Sequence, residues 1–279
     1  MQLKMIEGKW PRAIVWYTNE LNCTTVFGAD FASLLTVEKV EMVKFGNRNV
    51  PITHKNGYLK TYWEDRIHGL KTIVDYTADL FGIDVDSMTL TNESFWMIDW
   101  VKQRQVTPLR SARTECKETL SDEEYTYMLK NCHPTESLHI SASAPPNFKY
   151  TDPFHNTNEI FIVEGNWITI ENLLAIDSIE FIIYSSKLSS LDLNLFFKHW
   201  QTGGFARLEY FATGLENVNV DEILGNGLEV EEIWETRIYD KGSSGIRITC
   251  IDGHRIVNKN GVEATINCKA DRVHMVVWK

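Results

Sequence analysis

The chain has 279 residues, of which 43% are hydrophobic and 11% aromatic, so it is too apolar to be disordered and long enough for a sizeable core. Its formal net charge of -10, without a basic cluster, argues against nucleic-acid binding. The five cysteines form no CxxC pair, and no apolar run reaches the roughly 18 residues of a membrane span. These features predict a cytoplasmic or nuclear protein that does not enter a membrane.

The first section, residues 1–86, is predicted to be β-rich and to end in a helix. Strands are predicted at Ile14–Tyr17, Val37–Phe45, Val50–Thr53 and Tyr58–Trp63. Asn56-Gly57 between the last two is typical of a hairpin turn. Apolar residues at helical spacing then predict a helix over Asp65–Phe81, and Gly82 supplies its end.

The second section, residues 87–240, alternates short apolar strands with amphipathic helices. The strand candidates begin near Ser87, Arg113, Ser137, Glu159, Ser178, Arg207 and Gly227. Their spacing of roughly 20 to 29 residues is close to the period of leucine-rich repeats, although the Asn/Cys signature of that repeat is missing. The pattern predicts an α/β fold, with an irregular, leucine-rich-repeat-like stack of strands and helices.

Helix-start signals occur between these strands. Ser121 precedes three acidic residues in a capping-box pattern, and Thr169 caps a short predicted helix. A longer helix is predicted from Ser189 to Trp200, with its apolar residues on one face and Gly203-Gly204 at its end.

The third section, residues 241–279, is predicted to be a C-terminal β-meander that caps the stack. A Gly/Ser-rich linker over Lys241–Gly245 precedes it. Asp252-Gly253 and Asn260-Gly261 are predicted to be the turns between its strands.

Sequence motifs of catalysis and of metal binding are absent. The chain has no HExxH, GxSxG, phosphate-loop or GxGxxG pattern, and its histidines lack metal-ligand spacing. We therefore predict a protein that is not an enzyme and has no cofactor or metal. The alternative is a hydrolase-type enzyme whose site is assembled from loops 141–155.

Alternation along the strands of the stack indicates a candidate partner-binding face. If Leu138, Ile160, Phe181 and Leu208 face the helices, the opposite face is unusually apolar. It receives His139, Phe161, Glu180, Ile182, Tyr184, Glu209 and Phe211. Two interpretations stay open: another segment of the chain covers this face, or the face binds an unknown target protein.

Several ordered segments carry a resemblance to a known family. They are Leu138–Ile140, Trp167–Leu174, Ile179–Phe181, Ser189–Trp200 and Gly203–Tyr210. Together, over about residues 136–213, they resemble the type 2 F-box-associated domain of nematode F-box proteins. A weaker likeness at Ile73–Leu90 and Gly261–Ile266 extends the resemblance along most of the chain.

The resemblance implies a non-catalytic module that selects a target protein for a cullin-RING ubiquitin ligase. In that family an N-terminal F-box docks on a Skp1-type adaptor. Here Met1–Asn19 already reads as a strand region, and the F-box is not visible. Coupling to a Skp1-type adaptor is therefore doubtful.

Overall fold

The computed structural model describes residues 2–7, 12–16, 23–32, 35, 40–55, 58–116, 118–240 and 247–278. Six helices and sixteen strands lie within these ranges and form a mixed α/β fold, as the sequence predicts. Contacts divide the chain into two compact units, Met1–Glu118 with Asn131–Thr135, and Thr119–Lys130 with Glu136–Lys279. The section boundaries after residues 86 and 240 stay predictions.

The first unit contains eight strands and two helices among its described residues. The strands are β1 (Gln2–Ile6), β2 (Arg12–Trp16), β3 (Cys23–Phe31), β4 (Glu41–Phe45), β5 (Arg48–Lys55), β6 (Tyr58–Trp63), β7 (Val85–Leu90) and β8 (Ser111–Thr114). The helices are α1 (Arg66–Phe81) and α2 (Trp96–Arg104). The strand order is β8-β7-β1-β2-β3-β6-β5-β4. The sheet is mixed, because β1 pairs antiparallel with β2 and parallel with β7.

Most of the elements predicted for this unit are confirmed. Strand β1 falls within the predicted strand region Met1–Asn19 but was not predicted as a separate strand, and β3 was not predicted. The strand predicted over Val37–Phe45 is described from Glu41 onward. Tyr17 and the predicted turn Asn56-Gly57 lie outside the described residues.

Helix α1 has both of the predicted ends. The Asp65 side chain accepts hydrogen bonds from the backbone N–H groups of Ile67 and His68, at 2.9 and 3.1 Å. Gly82 follows the helix in the left-handed conformation, with φ of 62°. Since only glycine adopts this conformation without steric cost, the helix ends here.

Among its described residues, the second unit contains the other eight strands and four helices. The strands are β9 (Ser137–Ile140), β10 (Glu159–Ile162), β11 (Glu180–Ser186), β12 (Tyr210–Leu215), β13 (Glu231–Asp240), β14 (Arg247–Val257), β15 (Glu263–Lys269) and β16 (Arg272–Trp278). The helices are α3 (Asp122–Asn131), α4 (Ile170–Leu174), α5 (Ser190–Gln201) and α6 (Val220–Leu224). The strand order is β13-β14-β15-β16-β12-β11-β10-β9.

Strands β9 to β12 are parallel, and each pairs with the next one along the chain. A repeated strand–helix unit produces this order, but the likeness to leucine-rich repeats stays a prediction. The strand predicted near Gly227 begins instead at Glu231 and pairs antiparallel with β14. It cannot continue the parallel series, because β16 pairs with the remaining edge of β12.

The predicted helix starts of this unit are confirmed. Ser121 and Glu124 form a capping box at α3, since the Ser121 N–H donates to the Glu124 carboxylate and the Glu124 N–H donates to the Ser121 hydroxyl. Thr169 caps α4, and Ser189 with Asp192 forms the capping box of α5. These contacts satisfy N–H groups that have no partner inside the helix.

The apolar face of α5 packs on one side of the parallel strands. Leu193, Phe196, Phe197 and Trp200 are all buried. The ring centroids of Phe196 and Phe211 of β12 are 4.3 Å apart. This side of the sheet is the core of the second unit.

The C-terminal strands agree with the prediction except at one turn. Asn260-Gly261 lies in the turn between β14 and β15, with φ of 79° at Gly261. The turn predicted at Asp252-Gly253 is wrong, because both residues lie inside β14 at positive φ, where the register with β13 shifts. They form an irregularity that bends a strand without ending it. The predicted linker lies outside the described residues.

Candidate protein-binding surface

Most of the predicted face residues share one side of β9, β10 and β11. His139 pairs with Phe161, and Phe161 pairs with Ile182, so their side chains point the same way. Glu180 and Tyr184 lie two positions either side of Ile182 along β11. We call this side, opposite Phe181 and Phe211, the second face of the sheet.

Phe211 does not lie on the second face, so its predicted position is wrong. It pairs with Phe181, its exposed fraction is 0%, and it packs against α5. Alternation counted from Leu208 fails because the N–H groups of Glu209 and Tyr210 both bond to the carbonyl of Ile179, at 2.8 and 3.1 Å. This irregular step shifts the alternation by one residue.

Tyr210 and Ala212 therefore take the second-face positions of β12. Tyr210 pairs with Glu180, and Ala212 pairs with Ile182. Glu209 precedes the strand, and its negative charge helps to raise the pKa of Tyr239. Sequence reasoning missed Tyr210, since the irregular step carries no sequence signal.

Strands β13 and β14 cover one part of the second face. Cys250 is buried with Ile182, Tyr210, Ala212 and Val276, and Ile248 and Tyr239 pack against this cluster. The rings of Tyr239 and Tyr210 stack with centroids 5.9 Å apart. The interpretation that another chain segment covers this face is confirmed for this part.

A hydrogen bond fixes the covering strands to the sheet. The Tyr239 hydroxyl donates to a Glu180 carboxylate oxygen at 3.2 Å. Burial raises the pKa of Tyr239, and the negative charges of Glu180 and Glu209 raise it further. The phenol therefore stays protonated, and remains a donor, at neutral pH.

Beside the covered part, the second face forms a groove of about 580 Å³. Its apolar lining comes from Phe161, Ile182, Tyr184, Tyr210 and Ile248. Arg247, Lys269 and Arg272 also line it, with Asp271 and His274. The Arg272 guanidinium lies 5.4 Å from the centre of the Tyr184 ring. We call this site the basic groove.

His274 lines this groove and carries a buried nitrogen without a hydrogen-bond partner among the described residues. Only 7% of the residue is exposed, and its Nε2 has no hydrogen-bond partner among the residues that the structure describes. Burial lowers the pKa of His274 to about 4, and the charges of Lys269 and Arg272 act in the same direction. The imidazole is therefore neutral at pH 7.

The outer part of the second face carries a hydrogen-bonding contact between His139 and Glu159. His139 Nε2 lies 3.0 Å from a Glu159 carboxylate oxygen, and the His139 ring stacks on Phe161 with centroids 5.0 Å apart. His139 is thus held beside the aromatic residues of the groove, although it does not line the groove itself.

The family model described as F-box associated matches residues 153–213. The predicted resemblance is confirmed over this segment. No curated protein and no solved structure gives a significant match to the chain.

The F-box-associated segment contains β10, β11 and the beginning of β12, so it supplies Phe161, Tyr184 and Tyr210 to the groove. The basic side chains come from β14, from the last residue of β15 and from the first residue of β16, beyond the matched residues. No sequence pattern placed Arg247, Lys269 and Arg272 together, because they meet only through strand pairing.

A second cavity, of about 570 Å³, is lined in part by residues 144–149, which belong to the loops considered for a hydrolase site. Trp167 and Glu171 also line it, but neither Ser141 nor His155 does. The Thr169 hydroxyl lowers the pKa of Glu171. A general base that works near neutral pH requires the opposite shift.

Membrane-spanning helices and metal-binding clusters are absent from the residues that the structure describes. None of the helices there has the length and apolar character needed to cross a bilayer. No group of three or more His, Cys, Asp or Glu side chains is placed to hold a metal ion in that part of the chain.

Proposed function

We propose that this protein is a non-catalytic interaction module that binds a target protein through the second face, as the substrate-recognition part of an F-box protein of a ubiquitin ligase does. One observation carries the proposal: the segment that matches the F-box associated family supplies the aromatic residues of the basic groove. Partly exposed aromatic residues next to charged ones are typical of protein interfaces.

The mechanism would be rigid presentation by a stack of strands and helices of the leucine-rich-repeat kind. Phe161 and Tyr184 lie on paired strands, and their rings contact each other with centroids 5.4 Å apart. Side chains held in this way lose little conformational entropy on binding. A few such aromatic anchors carry most of the affinity of many interfaces.

The proposal places the protein in the cytoplasm or nucleus. Burial raises the pKa of Cys132 to about 12 and also raises the pKa of Cys250. Such thiols are unreactive. The four cysteines whose side chains the structure describes are all free, which is typical of a reducing compartment.

Affinity capture tests the proposal. Wild-type protein and the variants Tyr184→Ala and Leu195→Ala are used to capture proteins from a lysate of cells that express the chain, and the captured proteins are identified by mass spectrometry. Leu195 is 51% exposed on α5 and serves as the control. We expect one set of proteins to be lost with Tyr184→Ala and kept with Leu195→Ala.

An identical set from wild type and Tyr184→Ala would contradict binding through this face. The same spectra report on ligase coupling, because recovery of a Skp1-type adaptor and a cullin with the wild type would support it. Thermal unfolding of each variant checks that the proteins compared are folded.

A further inference from the structure

We propose that the basic groove binds an extended acidic segment of the target protein, in which Asp or Glu side chains flank an apolar residue. This inference rests on the proposed function and deepens it, because it names the chemistry of the partner at the same site.

The charge of the groove is opposite to that of the chain. Arg247, Lys269 and Arg272 surround one opening with Asp271 as the acidic residue among them, whereas the chain has a net charge of -10. Basic groups collected at one opening attract an anionic ligand there and not elsewhere on an acidic surface.

These basic side chains are also available for a ligand. None of Arg247, Lys269 and Arg272 forms an ion pair with any carboxylate that the structure describes. Nearby, by contrast, Arg237 and Arg255 both pair with Glu263. The basic residues of the groove can therefore form charged hydrogen bonds with the carboxylate of a ligand, whereas Arg237 and Arg255 already form such bonds within the chain.

The lining of the groove requires an apolar group beside the acidic ones. Phe161 and Tyr184 lie edge to face, and Ile182 pairs with Phe161 and lies two residues before Tyr184 on β11. The volume of about 580 Å³ lies within the range of roughly 300–1,000 Å³ that ligand pockets occupy. A free inorganic anion would leave this apolar lining uncovered, whereas a peptide side chain would cover it.

His274 gives an independent sign of a polar ligand. His274 lines the groove, and its buried Nε2 lacks a hydrogen-bond partner among the described residues. Nearly all buried polar groups in native proteins have a partner, so a ligand in the groove that reached this imidazole would supply the missing one. A peptide backbone offers both a donor and an acceptor to a neutral imidazole.

A nucleic acid fits these observations less well. Its phosphates extend far beyond a groove of this size, and the net charge of -10 repels them. The acidic peptide needs only the few local charges that the groove supplies.

Fluorescence polarisation with labelled seven-residue peptides tests the inference on the full chain. The probes place Glu and Asp on both sides of a central Phe or Leu, and matched probes carry Gln and Asn at the same positions. Arg272→Gln with Lys269→Gln is the groove variant, and Arg113→Gln, at a side chain 52% exposed in the first unit, is the control.

We expect the acidic probes to bind the wild type, and the amide probes and the groove variant each to weaken binding by about tenfold, since each exposed charge contact contributes a few-fold. The control should change binding less than about twofold. Equal binding of acidic and amide probes, or an unaffected groove variant, would refute the inference.

Two further probes test whether the groove prefers a phosphate group to a carboxylate. Tighter binding of a phosphoserine peptide than of its Glu counterpart, or of a thymidine oligonucleotide than of any peptide, would also overturn the assignment to a carboxylate-bearing segment. If the acidic probes do not bind while Tyr184→Ala still loses its captured proteins, the acidic partner is refuted and the proposed function stands. If neither effect is seen, both fail.

Discussion

Replacing Phe211 by Ala tests which side of β12 faces the core. The side chain has an exposed fraction of 0%, and its ring lies 4.3 Å from Phe196 and 6.4 Å from Phe181, centroid to centroid. Removing a phenyl ring from such a site costs about 3–5 kcal/mol of the free energy of unfolding. Since domains have roughly 5–15 kcal/mol in total, the variant should fold with greatly reduced stability.

Urea denaturation followed by tryptophan fluorescence measures the effect. The midpoint should fall while the slope stays unchanged. Tyr184→Ala is the matched control on the second face, where the ring contacts Phe161 and Arg272 and its loss should cost about 1 kcal/mol. A larger loss for Tyr184→Ala than for Phe211→Ala would refute the assignment of the two faces. Phe211→Leu gives a smaller, measurable loss if the Ala variant does not fold.

Two other predictions concern the C-terminal strands. Burial, together with the charges of Lys269 and Arg272, lowers the pKa of His274 from its ordinary value of 6.5 to about 4. The neutral imidazole therefore contributes stability that is complete above about pH 6.5 and is lost as the pH falls to about 4. The free energy of unfolding should fall by at most about 3 kcal/mol over this pH range. Urea titrations at several pH values should show that the stability of His274→Gln depends less on pH than that of the wild type. The same pH dependence in both proteins would contradict this prediction. Gly253→Ala should destabilise the protein by roughly 1–3 kcal/mol, because φ is 148° and a Cβ would lie 2.8 Å from the Ile266 carbonyl oxygen. A thermal melt equal to that of the wild type would show that β14 accepts a side chain there.

Helices α1, α3, α4 and α5 were predictable because their signals are local, whereas α2 and α6 were not predicted. The cap of α1 joins Asp65 to N–H groups two and three residues away, and the box of α5 joins Ser189 to Asp192. Side chains this close in sequence meet whenever the helix forms. The apolar stripe then fixes which side of α5 is buried, so the prediction did not depend on distant residues.

The register of β12 was not predictable in the same way. Glu209 and Tyr210 bond to a single carbonyl of Ile179, about thirty residues earlier in the chain, so the shift in alternation depends on a long-range contact. One residue of shift moves every side chain of the strand to the other face. Phe211 therefore lies in the core, and Tyr210 lies on the second face.

The basic groove depends on the same kind of long-range contact. Asp252-Gly253 reads as a hairpin turn, which would end the strand and separate Arg247 and Cys250 from the residues that follow. In the structure β14 continues through both residues, so Cys250 packs on the second face while Arg247 lines the groove. The two interpretations of the second face therefore apply to different parts of it. Another segment of the chain covers one part, and the other part is the proposed binding site. The alternation of residue types in the sequence cannot separate these two parts, because the residues that become buried and the residues that line the groove show the same alternating pattern along the strands.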